Sequence, residues 1–276
     1  MNQQEKAKAL LALHHTNEVL ILPNIWDPFG AKLLEYKGFP AVATASAAMS
    51  FAQGKDDGQQ LSFEWLCQQL ETICQATSLP VTADIERGFS ETMDKLANNI
   101  DRLLATGVVG INLEDSTYEG GSLVDLNLQC ERISCIREVA KQQNIHLVIN
   151  ARCDAYLSNK LPDKLDAAIK RGLAYKEAGA DCFYPILCDQ DDMSRVIAEV
   201  ELPVNVLATP GTPRTAELRR LGVKRLSLGP GLFKSAATTM AQVLDELAGD
   251  GTYDSFTHGN MLTSQNVSQI INPNKT

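Results

Sequence analysis

The chain is poor in the residues that carry redox, zinc and imidazole chemistry. Its four histidines stand at 14, 15, 146 and 258, none at the end of an apolar run. That placement argues against His-ligated metals and against imidazole as the catalytic acid or base. The seven cysteines stand singly at 67, 74, 130, 135, 153, 182 and 188, with no CxxC pair. Neither a zinc site nor a disulfide framework is indicated, and reduced thiols predict a cytoplasmic protein. There is no Lys/Arg run; 25 basic against 34 acidic residues leave a net charge of −9, which predicts no nucleic acid and no anionic membrane surface among the partners. No stretch of about 18 apolar residues could span a bilayer, and the opening MNQQEKAKALLALHH reads as a polar amphipathic helix without a signal-peptide core. The first turn after the first strand-like segment, NIWDPFGAKLL, has no GxGxxG, which disfavours a dinucleotide-binding open sheet.

A regular alternation of elements is present instead. Strand-like segments fall at 18–26, 39–46, 79–86, 108–115, 146–154, 182–187, 203–209 and 223–229. Between them, stretches such as 62–77, 90–106 and 127–143 carry apolar residues at helical spacing. Gly38, Gly107, Gly179 and Gly222 follow helical stretches, where a glycine C-cap belongs. Eight strands, each followed by a helix, predict an α/β fold of the (β/α)₈ TIM-barrel type. The expected organisation is one domain over 1–276: an extra N-terminal helix, a barrel over 18–251 and a C-terminal extension over 252–276.

Two strings carry the chemistry. TADIE at 82–86 and INLED at 111–115 are apolar runs ending in carboxylates at alternate positions. Residues two apart on a strand share a face, so Asp84 points with Glu86, and Glu114 with Asn112. Three acids at neighbouring strand ends repel one another unless a cation lies between them, and all-oxygen ligation suits Mg²⁺ or Mn²⁺. Barrel active sites sit at the C-terminal strand ends. That mouth would also collect Asn24, Trp26, Ser46, Asp57, Asn150, Arg152, Asp154, Asn205 and Ser227. Three of these have a structural alternative: Arg152 as an ion-pair partner of Asp154 or Glu114, Trp26 as a core filler, and Asn205 as a partner for backbone groups.

LPNIWD, TASAAMSFAQGKDDG, TADIERGF, GINLEDS, INARCDAY, AGADCFYP, NVLATPGTP and GVKRLSLG, in this order, resemble the isocitrate lyase/phosphoenolpyruvate mutase superfamily. The resemblance implies a Mg²⁺-dependent enzyme that makes or breaks a C–C or C–P bond in a small 2-oxo or 2-hydroxy acid through an enolate. By that resemblance Asp84, Glu86 and Glu114 match the metal-binding acids, mostly through water. Asp57 matches a loop aspartate, Arg152 the substrate-gripping arginine, Ser46 and Ala47 the carboxylate-receiving backbone, and Asn205 a strand-7 asparagine. Trp26 would be a substrate wall. A homotetramer is also implied, with C-terminal helices exchanged between subunits.

The loop after the fourth strand departs from the family. It reads EDSTYEGGSLVD, without the lysine, cysteine and histidine of the isocitrate and methylisocitrate lyase lid. The lid of the mutase and of phosphonopyruvate hydrolase is missing too, and Pro185 is followed by Ile186 rather than Glu. Tyr118 becomes the candidate proton donor. A carbon–carbon lyase is the leading expectation. A C–P enzyme, an oxaloacetate decarboxylase and a catalytically weak 2-oxo-acid-binding protein are the alternatives.

Overall fold

A computed structural model describes residues 1–117, 121–257 and 261–273. All strands are parallel. Strands β2 (Asn24–Ile25), β3 (Val42–Thr44), β4 (Val81–Asp84), β5 (Gly110–Glu114), β6 (Val148–Cys153) and β7 (Cys182–Pro185) follow one another in order. Strands β1 (Leu20–Leu22), β9 (Arg225–Ser227) and β8 (Asn205–Leu207) form the remaining arc. The first barrel strand is broken in two at Pro23, which has no amide hydrogen to give the ladder. Its two halves pair on opposite sides, β1 with β9 and β2 with β3. A bridge between Phe183 and Val204 joins β7 to β8, and the ring closes as the alternation predicted.

The outer ring is α2 (Pro28–Tyr36), α4 (Phe63–Ala76), α5 (Met93–Ala105), α6 (Leu126–Gln142), α7 (Lys164–Ala178), α8 (Gln190–Val200) and α9 (Thr215–Leu221), and the short α3 (Ser46–Ala52) lies at the mouth. Helix α5 shows why these segments fold locally. Thr92 caps its N-terminus through Lys95 N, and Leu96, Ile100, Leu103 and Leu104 bury one stripe against the barrel. Each such side chain contributes roughly 1.5–3 kcal/mol by leaving water. The outward strand residues Val81, Ala83, Ile111, Leu113, Ile149, Ala151 and Phe183 complete this core. The alternate residues of the same strands, Thr82, Asp84, Asn112, Asn150 and Arg152, line a cavity inside the barrel. A barrel interior is more often packed with branched aliphatics; this one is polar.

Helix α1 (Gln3–Leu13) lies against the N-terminal side of the barrel: Gln3 Nε2 donates to the carbonyls of Leu104 and Val108 at 2.8 and 3.0 Å. Leu10 reaches Gly110, where a Cβ would stand 2.7 Å from its Cδ2, so only glycine admits this close approach.

Two features of the C-terminal part differ from the expected layout. Helix α10 (Gly231–Gly249) follows β9 as anticipated, but none of its residues is buried. Beyond it, α11 (Asp254–Thr257) is short, and α12 (Ser264–Ile271) packs on α2, with Ile270 3% exposed. The polar composition of 252–276 hid this anchor.

Candidate active site

The mouth at the C-terminal strand ends opens into a cavity of about 260 Å³. Of the residues expected there from sequence, Ser46, Ala47, Asp57, Asp84 and Arg152 line it directly, with Asn24 and Ser227. Asn24 also seals the barrel seam. Its Nδ2 donates to Thr44 O at 2.8 Å, and its Oδ1 accepts from the amides of Leu228 and Gly229 at 2.8 and 2.9 Å.

Asp84 is the best-held carboxylate. Oδ2 accepts from Ser46 Oγ at 2.8 Å and Ser46 N at 3.2 Å; Oδ1 accepts from Asn112 Nδ2 at 3.0 Å and Glu86 N at 3.2 Å. Asn112 in turn accepts from Asn150 Nδ2 at 2.8 Å, so inward residues of three successive strands form one chain. Asp57 stands exposed at the rim. The concave wall strips part of its hydration, and the charge of Asp84 adds to this, so its carboxyl is raised above the ordinary range.

The other two acids depart from the simple strand-end picture. Strand β4 ends at Asp84, and Glu86 adopts a left-handed φ of 50°. The alternation expected to aim Glu86 with Asp84 is therefore broken: the Glu86 carboxylate is buried and accepts Gln59 N at 2.7 Å. A left-handed glutamate is a strained conformation of the kind that concentrates at functional sites. Glu114 is buried as well, receiving Ser116 Oγ at 3.0 Å and Arg152 Nη1 at 2.8 Å. Among the described residues, no three His, Cys, Asp or Glu side chains converge closely enough to cage an ion. Of the three acids expected around one point, Asp84 faces the cavity, with Asp57 at its rim, while Glu86 and Glu114 are engaged by Gln59, Ser116 and Arg152. That arrangement still fits a hydrated Mg²⁺, which keeps several waters and takes one or two carboxylates.

Arg152 both lines the cavity and is fully engaged, by Asp154 at 2.7 and 2.9 Å and by Glu114 at 2.8 Å. Asp154 is positioned through Asp115, a residue the sequence reading passed over. Asp115 is completely buried and accepts Asp154 N at 2.8 Å, Arg171 Nη1 at 3.0 Å and Tyr175 OH at 2.5 Å. Burial raises its carboxyl despite the facing guanidinium. The signal for it was present: two consecutive acids in INLED, the second too deep to be a solvated cap.

Other expected residues fall elsewhere. Trp26 does not line the cavity; its ring packs edge-on against Phe233 at 5.3 Å, at the root of α10, which is the filler role. Asn205 is fully buried beside the cavity and accepts Ser227 Oγ at 3.1 Å. Tyr118 lies outside the described residues. The flanks of its loop are bridged, Ser116 to Leu123 antiparallel, and Lys160 Nζ donates to Ser122 Oγ at 2.6 Å. Cys130 sits within α6, and Cys153 is fully buried with its thiol pushed well up by burial. Tyr184, Arg225 and Lys234 line the cavity although the sequence reading did not single them out. An arginine two residues before Ser227 in the strand-like segment VKRLSL, and so on the same face, was the available clue for Arg225.

The sequence model of phosphoenolpyruvate phosphomutase matches residues 10–248. The chain belongs to that family. Within the wider isocitrate lyase/phosphoenolpyruvate mutase superfamily, it is 34% identical over 240 residues to an uncharacterized protein of Mycobacterium tuberculosis, covering 83% of this chain and 86% of that one. It is 28% identical over 214 residues to 2-methylisocitrate lyase of Bacillus subtilis, covering 75% and 68%. A solved Burkholderia cenocepacia structure, for which only a lyase or mutase activity has been suggested, superposes with a TM-score of 0.90 at 32% identity, covering 97% and 95%. At 22% identity the likeness is one of fold alone: phosphonopyruvate hydrolase, solved with oxalate and Mg²⁺, gives a TM-score of 0.84, covering 98% and 95%. The family member described here is an enzyme of lyase type by these relationships.

Proposed function

We propose that this enzyme is a Mg²⁺-dependent carbon–carbon lyase acting on a small 2-hydroxy or 2-oxo carboxylic acid through an enolate. The observation that carries the reading is the shared cavity of Ser46, Ala47, Asp57, Asp84 and Arg152 at the barrel mouth. Backbone amides in the first turn of α3 have no partner within the helix and suit a substrate carboxylate. Asp84 would hold the metal, with Glu86 and Glu114 reached through water. The ion supplies positive charge that stabilises the developing enolate.

Asp57, its carboxyl raised above the ordinary range by the cavity wall and then by Asp84, is suited to take the proton of a substrate hydroxyl. As that proton leaves, the C–C bond breaks and its electron pair passes to the carbon next to the departing fragment's carboxylate. Arg152 stabilises this negative charge, held in place by Asp154. A proton must then return to that carbon, and Tyr118 or a water is the donor. With no cysteine lining the cavity, a thiol is not the donor in this reading.

A homo-oligomer is part of the proposal. Met240, Leu244 and Leu247 recur at helical spacing on α10 and are 62%, 57% and 46% exposed. An unpartnered apolar stripe of this kind supports an interface with another copy, and the family resemblance favours a tetramer with exchanged C-terminal helices. No helix among the described residues is long and apolar enough to cross a membrane. The cysteines are free, which supports a cytoplasmic location.

The test is pyruvate release, with and without Mg²⁺, from 2-methylisocitrate, 2,3-dimethylmalate, oxaloacetate and phosphonopyruvate. Metal-dependent cleavage of a 2-hydroxy acid is expected. Turnover of phosphonopyruvate alone would replace the C–C reading with a C–P one.

A further inference from the structure

Below the mouth, the cavity reaches a cation with no ion-pair partner among the described residues. Arg225 is the first residue of β9, 2% exposed, and lines the same cavity as Asp84 and Arg152. Its Nε and Nη1 are buried without a hydrogen-bond partner, and it takes part in no ion pair among the described residues. Arg152, by contrast, has two carboxylates. The atoms around Arg225 do not compensate it. Asn205, its register partner on β8, leaves Nδ2, a further donor, buried and unpartnered. Tyr184 is buried and presents a phenol to the cavity. At the C-cap of α1, the nearby His14 is buried and neutral near pH 7, its pKa pushed down to about 4 by burial and by Arg225 itself. Asp84, the acid that acts on Arg225 through space, is occupied by Ser46 and Asn112.

A guanidinium with unmade hydrogen bonds in a dry interior is among the costliest groups a fold can keep. Replacement by an apolar residue of similar volume often stabilises a protein at such a position. A ligand that completes the site explains its presence. Arg225 Nε and Nη1 and Asn205 Nδ2 are unpartnered donors and outnumber the unpartnered acceptors His14 Nε2 and Asn150 Oδ1, so the missing partner is an anion with at least two acceptor oxygens, and the fork of Arg225 matches a carboxylate.

We propose that Arg225, with Asn205 and Tyr184, forms a second anion subsite on the cavity floor that receives the distal carboxylate of a dicarboxylic 2-oxo or 2-hydroxy acid. The inference rests on the lyase reading for the mouth end and narrows its substrate class to diacids. Arg225 acts by recognition and not by proton transfer. A monoacid held only at the mouth leaves the guanidinium unpaired, so the floor selects against it.

The experiment measures binding of malate against lactate, and of oxalate, to the full chain with Mg²⁺, in wild type, Arg225→Met and Arg225→Lys. Wild type is expected to prefer malate over lactate by about tenfold or more, the worth of a charged hydrogen-bonded contact. Arg225→Met is expected to lose that preference, keep its lactate and oxalate affinities within about twofold, and melt no lower than wild type without ligand. Arg225→Lys keeps the charge without the fork and is expected to fall between the two. A folded Arg225→Met that retains the malate preference overturns the subsite. So does wild type without any preference, and so does loss of folding in both variants, which would make Arg225 a structural residue. Oxalate binding with Mg²⁺ in any of those cases leaves the lyase reading standing. Malate selectivity that depends on Arg225, without metal-dependent oxalate binding, upholds the subsite and removes the lyase reading.

Discussion

Arg152 grips both oxygens of the Asp154 carboxylate, donating from Nε at 2.7 Å and from Nη2 at 2.9 Å. Arg152 lies in the last pleat of β6 and Asp154 directly follows the strand, so one short stretch of chain carries both the guanidinium and the group that orients it. Nη1 remains for Glu114 on the neighbouring strand. Lysine cannot reproduce this fork. Arg152→Lys is expected to lower stability by about 2–3 kcal/mol, because two buried carboxylates lose charge-assisted partners. Turnover should fall further than binding. Urea unfolding and steady-state kinetics on the same variant check both.

Metal dependence should reside in Asp84. Mg²⁺ is expected to raise the melting temperature of the chelator-treated wild type by mass action. Asp84→Asn should remove most of that increment while retaining the Ser46 and Asn112 contacts in part. A scanning-calorimetry titration that gives the same Mg²⁺ response in both proteins would remove the site.

Stability should fall with mild acid through His14. Burial holds its folded pKa at about 4, below the ordinary 6.5, and Nδ1 donates to Leu10 O at 2.8 Å. The neutral form belongs to the fold. The contribution is therefore complete above about pH 6.5, is lost as pH falls towards 4, and is constant below that. Its size is on the order of 3 kcal/mol. His14→Gln should flatten this part of the urea-midpoint profile between pH 7 and 4. Equal slopes in wild type and variant would show that other groups carry it.

Thiol reagents should leave turnover largely intact. Cys153 is fully buried, and burial pushes the thiols of Cys67 to about 11 and Cys74 to about 12, where little thiolate forms at neutral pH. The check is residual activity after iodoacetamide, with mass mapping. Substrate-protected inactivation mapped to one cysteine would contradict the cysteine-free proton return.

The apolar stripe of α10 should hold copies together. Leu244→Asp with Leu247→Asp is expected to shift sedimentation towards the 30.1 kDa monomer without loss of far-UV ellipticity. A monomeric wild type would sink the interface.

Much of the barrel was legible in the sequence. The period of two in VTAD, GINLE and VINARC separates wall residues from cavity residues. The helical spacing between these strings, with caps such as Thr92, places the outer ring. These are local properties, set by backbone geometry and burial, so they survive without coordinates. Alternation aimed Asp84 and Arg152 into the barrel, and the rule that barrel sites gather at the C-terminal strand ends brought Ser46 and the loop residue Asp57 to the same mouth. Tertiary structure decided how far each acid is already satisfied. Glu86 leaves the strand at a left-handed residue, Glu114 goes to Arg152, and Trp26 packs under α10. The unpaired state of Arg225 was equally invisible. Alternation can place a side chain inside the barrel, but whether its hydrogen bonds are made depends on which side chains from strands far apart in sequence meet it there.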